Sequence, residues 1–108
     1  MSNIKAKLRP IAAFILDVDG VLTDGMVITL PDGEQVRRMN IKDGYALQHA
    51  VKKGYYISII SGGTSESVRK RLNTLGIKEV NLACKNKVEV FEKLKEKFGL
   101  TKEQILYM

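Results

Sequence analysis

Residues 11–25 read IAAFILDVDGVLTDG, and this stretch decides the fold class. The apolar run from Ile11 to Val18 (IAAFILDV), started by Pro10, has the composition of a strand buried on both faces of a parallel sheet. Two carboxylates, Asp17 and Asp19, stand at its carboxyl end with Val18 between them. In an extended chain Val18 points the opposite way, so both carboxylates lie on one side. The turn at Gly20 can then swing them around one hard cation, and Mg²⁺ prefers such oxygen ligands. Three of the five Asp residues, at positions 17, 19 and 24, fall within eight residues. Crowded carboxylates repel one another, so a positive partner is expected there.

Outward from this strand, apolar segments with strand and helix periodicity alternate, the pattern of an α/β protein with a parallel sheet. Met26 to Leu30 and Glu34 to Met39 flank Pro31-Asp32-Gly33 and read as a β-hairpin inserted after strand 1, over about 26–39. Asp43 is read as the cap of a helix carrying Leu47, Ala50 and Val51 and stopping at Gly54. Tyr55 to Ile60 is the second parallel strand, followed by Ser61-Gly62-Gly63 and a helix beginning near Thr64, with Val68, Leu72 and Leu75 on one face. Val80 to Leu82 is a short strand. Asn86 and Glu89 have capping-box spacing ahead of the stripe Val88, Phe91, Leu94 and Phe98, which ends at Gly99. Ile105 to Met108 begins a further strand; an apolar stretch exposed at a sheet edge invites aggregation, so covering elements are expected beyond it.

The 108 residues, 44% of them hydrophobic, fit one domain over 1–108. Lys and Arg outnumber Asp and Glu by 18 to 12, but the basic residues are dispersed and partly interleaved with Glu, as on solvated helix faces. With 6% aromatics and no nucleic-acid motif, no nucleic-acid partner is expected. Cys84 is the only cysteine and His49 the only histidine, so neither a disulfide nor a Cys/His metal quartet can form, which favours a reducing, cytoplasmic compartment. The basic N-terminus precedes an apolar run of only six residues, Ile11 to Leu16, too short for a secretory segment or a membrane span, and no membrane partner is expected.

In an open parallel sheet, ligands bind outside the carboxyl ends of the strands. Ser61, Gly62 and Gly63 offer a hydroxyl and backbone N–H groups ahead of a helix, a setting that favours phosphate. Lys85 and Lys87 each offer an ammonium. A nucleophilic carboxylate, a second carboxylate for proton transfer, a hydroxyl and a lysine are the parts needed for transfer through an aspartyl phosphate. Asp24, followed by glycine, also reads as ordinary turn chemistry, His49 as a surface or interface residue, and Cys84 as a small buried hydrophobe.

The string Asp17-Val18-Asp19-Gly20-Val21-Leu22-Thr23-Asp24-Gly25 resembles the first motif of the haloacid dehalogenase (HAD) superfamily, specifically the capless 3-deoxy-D-manno-octulosonate 8-phosphate (KDO 8-phosphate) phosphatases. The resemblance extends along the chain through Pro31-Asp32-Gly33-Glu34, the segment Met39 to Tyr45, Ser61-Gly62, and Asn86-Lys87 opening a helix. It implies a three-layer α/β/α Rossmann-type sheet and Mg²⁺-dependent hydrolysis of a sugar acid phosphate in cytoplasmic lipopolysaccharide biosynthesis. Asp17 would attack phosphorus, Asp19 would act as acid and then base, Ser61 and Gly62 would bind the phosphoryl group, and Lys87 would neutralise its charge and restrain Asp17. The Asp17 carboxylate and the Asp19 carbonyl would hold Mg²⁺; Lys42, Asp43 and Gly44 would contact substrate or a neighbouring subunit; Lys85 would be solvated. The resemblance also implies a homotetramer built through the hairpin.

Two departures stand out. Gly63 occupies a position where the family often has Arg, which leaves a phosphatase for a nine-carbon sugar acid 9-phosphate as the alternative. The family also continues with a Gly-Asp-Asp type loop, a fourth motif whose acid completes the Mg²⁺ site, and then a final helix and strand; the sequence reaches Met108 where that loop is expected to start, so the C-terminal part of the fold is expected to be missing. The competing readings are a signalling phosphoacceptor module and a truncated, non-catalytic assembly or binding form of the same fold.

Overall fold

The computed structural model describes residues 2–108. In chain order the elements are α1 (Ser2–Leu8), β1 (Ala13–Leu16), β2 (Ile28–Thr29), β3 (Gln35–Val36), α2 (Ile41–Lys52), β4 (Tyr56–Ile60), α3 (Glu66–Thr74), β5 (Glu79–Asn81), α4 (Lys87–Phe98), a 3-10 turn (Lys102–Gln104) and β6 (Ile105–Tyr107). Four strands form one parallel sheet in the order β5-β4-β1-β6, with Ala13 paired to both Tyr56 and Ile105. β2 and β3 form a separate antiparallel hairpin.

The central strand is apolar on both faces because each face is covered. Leu16, Ile57 and Ile59 pack with Val68, Leu72 and Leu75 of the α3 side, with Leu47, Ala50 and Val51 of α2 against them. Ala13, Ile15, Ile60 and Ile105 pack on the opposite face with Leu94 of α4. The result is the expected three-layer α/β/α arrangement. Each fully buried Leu or Ile contributes about 1.5–3 kcal/mol of transfer free energy, so these two clusters fix the strand ends from which the site is built.

Several local expectations shift. Asp43 does not cap α2: the Asn40 side chain accepts the Lys42 N–H at 2.7 Å, so the helix starts earlier and Asp43 sits in its first turn, where a negative charge suits the helix dipole. α3 starts at Glu66 rather than near Thr64, after Ser65, whose hydroxyl pairs with Ser67 instead of the backbone. β5 runs one residue earlier than Val80 to Leu82, because its pairing with β4 begins at Glu79, opposite Ser58, and ends at Asn81, opposite Ile60. α1 carries no apolar periodicity and is a short helix, exposed over residues 4–8 and including the good helix formers Ala6 and Lys7. The cap at Asn86 is as expected: its side chain accepts Glu89 N–H at 3.1 Å, and α4 ends at Gly99.

Candidate active site

The site begins where β1 stops. Beyond Leu16, Asp17 N–H still donates to Met108 O at 2.8 Å, after which the chain folds into a tight turn in which Val18 O accepts the N–H groups of Val21, Leu22 and Thr23. Gly20, at φ 81°, makes this reversal possible, since a side chain there would be strained. Val18 and Leu22 anchor the turn in the core, and Asp17 and Asp19 are left at the strand end.

The three crowded aspartates each meet a different cation. Lys87, the first residue of α4, places Nζ 2.6 Å from Asp17 Oδ2, while Asp17 Oδ1 accepts the Val18 N–H at 2.7 Å. Arg37 donates through Nε to Asp19 Oδ1 at 2.6 Å and through Nη2 to Asp19 Oδ2 at 3.2 Å. Arg38 reaches Asp24 Oδ2 at 2.7 Å, and Asp24 Oδ1 accepts the Met26 N–H. Adjacent residues of an extended segment point in opposite directions, so the Arg37-Arg38 pair that follows β3 serves two carboxylates. The Asp17 carboxylate raises the Lys87 ammonium above the ordinary lysine value, and the Asp19 carboxylate does the same for Arg37. The Arg38 guanidinium, helped by the Met26 N–H, holds the Asp24 carboxyl below its usual range.

The loop after β4 closes the second side. Ser61 is buried, and its Oγ accepts the Gly63 N–H at 3.1 Å, leaving the hydroxyl proton to donate elsewhere. Two backbone bonds, Ala83 N–H to Gly63 O and Cys84 N–H to Ser61 O, zip this loop to the loop after β5. Ala83 takes a positive φ of 54° there, a conformation that costs a non-glycine residue energy. Gly62 is exposed, and a Cβ built on it would stand 3.8 Å from Cys84 O.

The remaining sequence-derived residues are more peripheral. Lys42 and Asp43 are exposed; Asp43 borders a cavity of about 430 Å³ with Asp24, Arg38 and Asn40. Gly44 is buried, and a Cβ there would meet the flexible end of the exposed Arg71 side chain at 2.8 Å from Nη2 and Leu75 at ordinary contact distance. Lys85 and His49 are exposed, and Cys84 is half-buried with its thiol donating to Asn81 O at 3.3 Å. Arg37 and Arg38 were not among the sequence-derived site residues. The signal for them is the Arg-Arg step in an extended segment opposite an acidic cluster.

No protein-family model matches the chain. Among curated proteins, 3-deoxy-D-manno-octulosonate 8-phosphate phosphatase KdsC of Escherichia coli K12 is 35% identical over 107 residues, 99% of this chain and 57% of the relative. KdsC of Salmonella typhi is 34% identical over the same shares of both chains. Among solved structures, the phosphatase of that name from Moraxella catarrhalis, in complex with magnesium ion, phosphate ion and KDO, is 31% identical with a TM-score of 0.93, over 99% of this chain and 62% of that one. The cobalt-bound deoxy-D-mannose-octulosonate 8-phosphate phosphatase of Haemophilus influenzae is 34% identical with a TM-score of 0.87, over 94% and 59%. The chain thus spans somewhat over half the length of the curated relatives it matches. Over nearly every residue, this chain is similar in sequence and in fold to KDO 8-phosphate phosphatases, and it shares the parallel α/β fold of those structures.

Proposed function

We propose that this chain carries the catalytic residues of a phosphatase acting on a sugar acid phosphate, KDO 8-phosphate first, through an aspartyl phosphate. The observation that carries this reading is the Lys87–Asp17 pair, a carboxylate restrained at a strand end by an ammonium 2.6 Å away. Asp17 attacks phosphorus as the phosphate–sugar oxygen bond breaks, and Asp19 delivers its proton to the departing oxygen. Asp19 then takes a proton from the water that attacks the aspartyl phosphate, which releases phosphate and restores Asp17. The Ser61 hydroxyl and Gly62 N–H are the donors for phosphoryl oxygens, and Lys87 offsets their charge.

A divalent cation fits the donor set in kind. The Asp17 carboxylate and the Asp19 backbone carbonyl are hard oxygen donors at one strand end. That suits Mg²⁺, which keeps several waters and uses few protein ligands. When bound, it would supply charge neutralisation for the phosphoryl group.

Lys42, Asp43 and Gly44, at the start of α2, are proposed to contact the sugar or a neighbouring subunit. We read 1–108 as one catalytic unit and 26–39 as an inserted assembly element: Met26, Ile28 and Leu30 expose apolar surface on a hairpin with only two paired residues per strand, a poor structure in isolation. With the resemblance, which implies four subunits, the exposed hairpin supports the reading of a homotetramer joined through it. None of the helices among the described residues is long and apolar enough to cross a membrane. A half-buried free thiol at Cys84 suits a reducing compartment, and the cytoplasm is the proposed location.

The test is phosphate release from KDO 8-phosphate and from a nine-carbon sugar acid 9-phosphate, with Mg²⁺, with chelator, and with Asp17→Asn. Release that disappears in both controls supports the proposal, and the better substrate decides between the two sugar acids. Release that persists in Asp17→Asn would sink it.

A further inference from the structure

The Arg37–Asp19 pair differs from the other charged contacts of the hairpin. The hairpin strands are exposed, and Arg38 is 86% exposed beside Asp24, yet the Arg37 side chain is only 7% exposed. Withdrawing a guanidinium from water is costly unless its donors are taken up. Here Nε and Nη2 bind the two oxygens of one carboxylate, a fork geometry that a lysine cannot reproduce. Asp19 itself is 41% exposed and follows directly after a core residue, so without the fork its side chain has room to turn.

The space for this guanidinium is made by a neighbouring loop. A Cβ built on Gly63 would stand 3.2 Å from Arg37 Nη2, closer than ordinary van der Waals contact, so the guanidinium would have to give by a few tenths of an ångström, and 3.4 Å from Ser61 Oγ, an ordinary contact. Gly63 has no positive φ that would call for glycine on backbone grounds. What glycine supplies at this position is room. The leg that would yield first is Nη2 to Asp19 Oδ2, already the longer of the two at 3.2 Å.

We propose that Arg37 is a positioning residue for Asp19, holding its carboxylate in one orientation at the strand end, and that position 63 is glycine because a side chain there would push the guanidinium off Asp19. The consequence for turnover rests on the phosphatase reading given above: held as a carboxylate by the fork, Asp19 is set to take the proton from the attacking water, and a small misplacement of such a group is costly. The coupling between positions 37 and 63 does not rest on it.

Two readouts test the proposal on the intact chain. In ¹⁵N NMR the Arg37 Nε–H resonance, assigned by its absence in Arg37→Lys, is expected to be distinct and protected from exchange, to lose protection in Asp19→Asn, and to move toward that state in Gly63→Ala. In kinetics Arg37→Gln is expected to lower kcat by about tenfold to a hundredfold, a part of the full acid–base contribution, with KM little changed and partial recovery in Arg37→Lys. Gly63→Ala should lower kcat less, and should add nothing when Arg37 is already Gln. A resonance indifferent to Gly63→Ala, a loss confined to KM, or additive effects of the two substitutions would overturn the proposal. Should the unsubstituted chain release no phosphate from any sugar acid phosphate, the phosphatase reading fails on its own, and the resonance then decides the 37–63 coupling.

Discussion

Lys87 Nζ and Asp17 Oδ2 lie 2.6 Å apart although 70 positions separate them in the chain. The contact joins the first residue of α4 to the residue after β1, and it forms because the core clusters dock β1 and α4 on one another. The Asn86 cap immediately before Lys87 fixes the first turn from which the ammonium projects.

Replacing Lys87 with Met keeps the stem and removes the charge. In the phosphatase reading kcat falls by about 10²–10³, the usual loss when one preorganised electrostatic partner is removed. Circular dichroism should be unchanged, because the side chain is 40% exposed and outside the core clusters. Turnover equal to that of the unsubstituted chain would remove Lys87 from the mechanism.

Asn86→Ala separates the cap from the charge. Losing the bond to Glu89 N–H should cost about 1 kcal/mol of stability, read by urea unfolding. Because Lys87 then projects from a frayed turn, kcat should fall as well. A stability loss with turnover intact would show that the cap serves folding alone.

The Asp24–Arg38 pair sets an acid-side expectation. The folded-state value of Asp24 lies below its ordinary 3.8, so the pair's contribution is complete above that pH and is lost as pH falls through the lowered value. Arg38→Gln should move the Asp24 carboxyl back toward 3.8 in an NMR titration. The accompanying change in stability should be small, since the pair is exposed.

Ile28, 66% exposed on β2, tests assembly. Sedimentation of the unsubstituted chain should show an oligomer, and Ile28→Asp should shift it to monomer by burying a charge in the hairpin interface. A monomer in both cases would leave the exposed apolar hairpin without the assembly role proposed for it.

The sequence by itself determined the layers and the strand ends. A continuous apolar run cannot be exposed on either face, and helical stripes at Leu72 and Leu94 can cover one face each, so a parallel sheet between helices follows from local pattern. Asp17, Asp19, Ser61 and Lys87 were legible as candidates because a carboxyl strand end is where an open sheet binds ligands. Capping was legible at Asn86, where spacing and side chain agree, but not at Asn40, where two capable residues compete within four positions. What only the tertiary structure decided is which cation meets which carboxylate. Arg37 looks like any basic residue of a solvated hairpin until the hairpin folds back over the strand end, and Gly63 looks like loop filler until the Arg37 guanidinium stands beside it. Such pairings depend on side-chain approach over 14 to 70 positions of chain. Periodicity carries no information about that approach, because it is set by how whole elements dock rather than by the local preference of any residue.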